Sequence, residues 1–262
     1  MQPLILTTAE ITAWVGAFVW PLLRVSAMLM VMPAIGGRNV PLRIRAALAV
    51  MLTVVMLPQT GAAPALDPLS ADGLLVSIHQ VLIGAFMGLM LQLVLQAAII
   101  AGEFVALSMG LGFALMADPQ NGVQVPMVGQ LFMILATLLF LVLNGHLALI
   151  QMVADSFSYL PLGGGGLPFE AYWLLVEWSA TMFTGAMSIA LPAVISLLAV
   201  NLSLGVITRA APQLNIFSVG FPLTLLTGLV ILMSVLPTLP EVFESLMEQA
   251  FVNLNNWLRG RF

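Results

Sequence analysis

"AYWLLVEWSATMFTGAMSIALPAVISLLAVNLSLGVIT", residues 171–208, decides the fold. Its apolar residues run on without the alternation of a strand, and at about 1.5 Å per residue it would form roughly 57 Å of helix. A bilayer offers a hydrocarbon core of only about 30 Å. The helix must therefore protrude, tilt steeply or break. Pro192, in "SIALPAVIS", is the expected kink, because proline removes a helical hydrogen bond and crowds the preceding turn. A hairpin at Pro192 would reverse the topology of everything after it.

The rest of the chain agrees with a membrane origin. It is 61% hydrophobic and 7% charged, with a mean hydropathy of +1.11, far outside the soluble range. Its apolar runs lack the polar lumen face of an outer-membrane barrel, so the spans are expected to be helical. Residues 1–10 have no basic segment and no small-residue cleavage site, so the first span is expected to stay in place as the insertion signal. Without cysteine there are no disulfides, thiolate metal sites or thiol catalysis. The net charge of −4 says less than the placement of the few arginines.

Six hydrophobic regions are expected, at about 13–33, 40–57, 74–104, 127–153, 171–208 and 216–239. Joints such as "PQTGAAPALDPLSADG" and "LPLGGGGLPFE" separate them. Arg38, Arg43 and Arg45 cluster in the first joint, which the positive-inside rule assigns to the cytoplasm, with the N-terminus outside. Six simple spans would then put Arg209 inside and the C-terminal tail outside. The halves show no internal repeat, which weakens an inverted-repeat transporter and favours one membrane domain.

Catalytic patterns are missing. The sequence has no HExxH, no GxSxG, no phosphate loop and no lysine. His79 and His146 lack ligand-spaced neighbours and are expected to hydrogen-bond between helices or at an interface. No enzyme, metal, cofactor or nucleic-acid partner is expected. Arg24 and Glu103 are intramembrane charges, costly enough to require a protein or water environment. Two uses stay open for them: an ion pair or snorkelling side chain, or polar contacts lining a conduit.

Helix seams are more legible. Gln80, Gly84, Gly88, Gln92 and Gln96 recur every four residues as a ridge of small and amide side chains. Ala180, Thr184, Ser188, Pro192 and Ser196 form a second ridge. Such faces should meet protein, inside the chain or across a subunit interface. Between two apolar regions lies "GLGFALMADPQNGVQVP", residues 110–126, where Gly110, Gly112, Gly122 and the pair Asp118-Pro119 oppose a continuous helix. Irregular backbone at membrane depth is tolerated only when buried in protein or lining a cavity. Phe113, Leu115 and Met116 would make it apolar enough to block one, and Met109 and Met127 flank it as adaptable side chains. An ordinary cytoplasmic turn remains the alternative on these residues alone.

Four stretches together resemble the FliR family of flagellar export-gate proteins and the related injectisome SctT family. They are "RVSAMLMVMPAIGGRNVPLRIRAALA" (24–49), "AGEFVALSMGLGFALMADPQNGVQVP" (101–126), "LLFLVLNGHLALI" (138–150) and "RAAPQLNIFSVGFPLTLLTG" (209–228), in the family's order over nearly the whole chain. The last is the most specific and looks flagellar. The resemblance implies an all-α membrane protein of long, partly broken helices arranged as hairpins. In the family it resembles a FliP-like unit, here about 1–200, fused to a FliQ-like unit, about 201–262. It implies one copy in a gate of FliP-like and FliQ-like subunits, lifted partly out of the bilayer of the bacterial inner membrane at the flagellar basal body. FlhA-like and FlhB-like components would be neighbours, and unfolded exported proteins the cargo. The segment from Gly110 to Gly122 would then be a movable channel plug beside a methionine ring of the FliP-like subunits. The glycine run 163–166 has no role in this pattern and reads as a flexible joint.

Overall fold

The computed structural model describes residues 8–37, 40–64, 66–112, 127–211 and 220–260. It is an all-α membrane protein, and among the described residues there is no strand. The helices are α1 (Thr8–Val31), α2 (Leu42–Met56), α3 (Ala71–Ser108), α4 (Met127–Val142), α5 (Gly145–Tyr159), α6 (Phe169–Ala210), α7 (Phe221–Val235) and α8 (Leu239–Leu258). Five helical stretches are long and apolar enough to cross a membrane, and α4 with α5 would add a sixth as one bent span.

Two of the expected regions divide further, and the longest stays whole. The region expected at 127–153 is two helices, bent by 61° at a short break. Asn144 adopts left-handed backbone there, φ 55° and ψ 25°, between "LVL" and "GHLAL". Asparagine is among the few residues that take this conformation readily, so the break is written in the residue. Pro192, by contrast, makes no hairpin: α6 runs unbroken through it for 42 residues. The proline is exposed, on the face of α6 opposite its buried residues. The last region, as α7, continues through a 3-10 turn at Leu236–Thr238 into α8, which the hydropathy pattern alone did not separate; the expected start at 216 lies outside the described residues. Pro237 and Pro240 explain the tightened turn, since each lacks a donor but fits a helix start.

The chain folds as two compact units, and α3, α6 and α8 each pass through both. The first holds Met1–Gln92, Phe140–Trp178 and Glu248–Phe262. Its hub is the first part of α3, whose Ile83, Phe86, Met87, Met90 and Leu91 are buried. Gly84 lies directly against the Arg24 carbonyl, and a β-carbon on Gly88 would come 3.0 Å from the Met28 carbonyl. Only glycine lets α1 and α3 approach so closely. The indole of Trp178 donates to the Met90 carbonyl at 3.0 Å, fixing α6. Phe86 and Trp257 pack with their rings tilted by 42° at 4.4 Å between centres, fixing α8.

The second unit holds Leu93–Leu139 and Ser179–Met247. The end of α3 is its hub: Gly102 meets Gly129 of α4, Gly185 of α6 meets Leu246 of α8, and Gly228 of α7 meets Met109. Burial separates hub from periphery. The most apolar window of α3 is 61% buried, against 22% for α6 and 17% for the α2 stretch.

Candidate functional site

Two constellations carry the polar and irregular features, one in each unit. In the first, Arg24 is fully buried on α1. Its Nε donates to Gln80 Oε1 at 2.8 Å, one Nη to Ser156 Oγ at 2.9 Å, and the other to the Leu160 carbonyl at 2.7 Å. The guanidinium also lies 4.3 Å from the centre of the Phe157 ring. Gln80 passes its amide N–H on to the Leu162 carbonyl at 3.4 Å. Arg24 thus ties α1, α3, α5 and the joint after α5 with neutral partners. Among the described residues it has no carboxylate partner, so it is neither ion-paired nor snorkelling. A planar fork of donors suits this role where an ammonium would not reach three acceptors.

Glu103, on α3 in the second unit, is half-buried and has no cation beside it among the described residues. The first ridge divides: Gln80, Gly84 and Gly88 are buried within the chain, while Gln92 and Gln96 are half-buried. The second ridge is different. Ala180, Thr184, Ser188, Pro192 and Ser196 are all exposed, and their hydroxyls bond carbonyls of α6 itself. His79 and His146 each have a buried Nδ1 without a hydrogen-bond partner among the described residues. His146 instead packs edge-on against Phe140. His79 packs against Gly166, whose φ of +78° and nearness to the ring exclude a side chain. That contact gives the glycine run a structural use the sequence did not show.

The second constellation frames the segment from 110. Helix α3 stops at Ser108, and Gly110 takes a φ of +81°, a conformation that glycine adopts at little cost. Met109 is buried against Gly228 of α7. Asn201 of α6 donates its amide to the Ser108 carbonyl at 3.2 Å, satisfying an acceptor the helix end leaves free. Gly112 is half-buried, near the side chain of Leu107. On the far side α4 begins at Met127, which is exposed. A β-carbon on Gly102 would meet the Gly129 α-carbon at 2.8 Å, so the end of α3 and the start of α4 are in backbone contact. Phe113, Leu115, Met116, Asp118, Pro119 and Gly122 lie outside the described residues. Among the described residues, no three His, Asp or Glu side chains gather closely enough to hold a metal ion.

An all-α chain of overlong apolar helices, bent at Asn144 and with the segment after Gly112 flanked by α3, α4, α6 and α7, is a multi-span membrane protein. The chain belongs to the bacterial export proteins, family 1, whose pattern matches residues 15–250. It is 37% identical to the flagellar biosynthetic protein FliR of Escherichia coli (strain K12) over 247 residues, 94% of either chain. The FliR of Bacillus subtilis (strain 168) is 31% identical over 92% of this chain and 94% of its own. That of Aquifex aeolicus (strain VF5) is 33% identical over 87% and 88%.

Proposed function

We propose that this chain is a non-enzymatic subunit of the core export gate of the bacterial flagellar type III secretion system. With FliP-like and FliQ-like subunits it forms a channel for unfolded flagellar proteins in the inner membrane, at the base of the flagellum, with FlhA-like and FlhB-like components alongside. The residues from Gly110 to Gly122 act as its movable plug. The observation that carries this reading is the frame around the segment: α3 and α4 touch at Gly102 and Gly129, and Met109 and Asn201 hold the last turn of α3. Two flanks pinned together hold the ends of the segment at one place, as a stopper requires. The outward ridge of α6 and the exposed apolar faces of α2 and α7 supply surface for partner subunits and lipid. Arg24, fully buried and hydrogen-bonded to three groups inside the protein, is not free to bind a transported solute, which counts against a stand-alone carrier.

Removing several residues between Gly112 and Gly122 in the assembled gate should make membranes leak ions or small solutes while the complex still forms. Flux from loaded vesicles or cells reads this directly. Wild-type permeability in a normally assembled gate would refute the plug.

A further inference from the structure

In the second unit α3 is buried along most of its surface, through Val94, Ala97, Ala98, Ala101 and Val105. One stripe stays open. Leu93, Gln96, Ile100 and Glu103 are half-buried and Leu107 is 62% exposed, at alternating spacings of three and four residues that put them on one side of the helix. Its neighbours lie to either side. Gly102, one residue before Glu103, touches Gly129 of α4, and a β-carbon on Gly185 of α6 would meet Ala97, one residue after Gln96, at 3.4 Å. Each step of one residue turns the helix by about 100°, so the stripe lies between these two contacts.

The spacing says what shape covers it. Leu93, Ile100 and Leu107 fall at one position of a seven-residue repeat, and Gln96 and Glu103 at another. That repeat is the seam against which a second helix packs at a crossing of about 20°, the usual geometry of membrane bundles. The charge says what the second helix carries. Among the described residues neither Gln96 nor Glu103 has a hydrogen bond, and no basic residue pairs with Glu103. The last turn of α3 holds no basic residue either, and its carbonyl end is the negative end of the helix dipole. A carboxylate so placed in a helix apolar enough to cross a membrane calls for a cation. Acyl chains supply none. A second copy of the stripe would set carboxylate against carboxylate. Water would solvate Glu103 but leave the apolar positions of the repeat unpacked.

We propose that this stripe is the seam for a membrane-spanning helix of a partner subunit, which places an arginine or lysine opposite Glu103 and an amide or hydroxyl opposite Gln96. The cation donates to the carboxylate in a charge-assisted pair, and Leu93, Ile100 and Leu107 pack against the apolar positions of the same helix. The inference rests on the reading of the chain as one subunit among several and not on the plug, so the permeability experiment and the one below fail separately.

The test uses the full chain in host membranes. A photoreactive amino acid replaces Leu93, Ile100 or Leu107 in turn, and the cross-linked peptides are sequenced. All three should reach one apolar segment of another membrane protein, shifting by about seven residues per step, with an arginine or lysine inside that segment. Glu103→Gln should lower retention of that protein in the gently extracted complex about tenfold, the scale of one charged hydrogen bond, and Glu103→Arg should lower it further. Exchanging the partner's basic residue for glutamate should restore retention to Glu103→Arg. Glu103 bonds nothing among the described residues, so Glu103→Gln should melt like the wild type, which separates lost docking from lost folding. If Glu103→Arg does not insert, neutralising both members serves: the pair of changes should cost no more than either alone. Cross-links to lipid alone or to a second copy, or a partner segment without a basic residue, overturn the proposal. So does wild-type retention of the partner by Glu103→Gln.

Discussion

Arg24 shows how a buried charge is held without an opposite charge. Its three hydrogen bonds and the Phe157 ring replace water, so the residue acts as a clasp between α1, α3 and α5. Arg24→Leu strips donors from Gln80 Oε1 and the Leu160 carbonyl and should cost on the order of 2–4 kcal/mol. Unfolding in mixed micelles would measure it. Adding Gln80→Leu should recover part of the loss, because removing both members of a buried pair costs less than orphaning one; a double variant as unstable as the sum would contradict the clasp. The sequence marked Arg24 as a charge needing protein, since hydropathy makes any intramembrane arginine conspicuous. It gave no hint of Ser156 or Leu160, which lie more than 130 residues away. Serine in a helix usually bonds its own backbone, as Ser156 also does to Val153, and carries no sign of a distant partner.

At the scale of elements, local signals succeeded where one residue controls the backbone. Gly110 ended α3 as its conformational freedom suggests. Asn144 was passed over, though its left-handed backbone sets the 61° bend between α4 and α5. Asn144→Gly should therefore be nearly neutral. Asn144→Val, with a branched side chain forced into left-handed backbone, should cost about 1–2 kcal/mol or straighten the pair. Thermal melting together with cysteine cross-linking across the bend would tell the two apart, and a fully stable, unaltered valine variant would rule out this hinge. Pro192 gave the opposite lesson. It is a strong local breaker, yet α6 continues through it, held on its other face by the buried Ile189, Ala190, Ala193 and Leu197. Packing over several turns outweighs the local loss of one hydrogen bond.

In the whole molecule, exposed apolar surface is the main unfinished feature. Helices α2, α6 and α7 turn large side chains such as Val55, Leu202 and Met233 outward, and a lipid surround or partner subunits must cover them. Native mass spectrometry of the gently extracted, tagged chain should find one copy inside a large complex with two other small hydrophobic proteins. A chain that emerges alone or as a homodimer, where other membrane complexes survive, would remove the export-gate reading. The sequence by itself determined the helical membrane class, the family, the interruption after Met109 and the glycine ridge of α3. Apart from the family, which four stretches carry by resemblance, each of these is a matter of composition, or of spacing along one helix, where neighbours in sequence are neighbours in space. Only the tertiary structure decided that Pro192 stays within one helix and that Arg24 is satisfied by α3 and α5. It alone brought Gly102 to Gly129 and left the stripe around Glu103 half-open. Those depend on which distant faces pack together, and one helix's residue pattern shows that a face is small or polar without naming what will meet it.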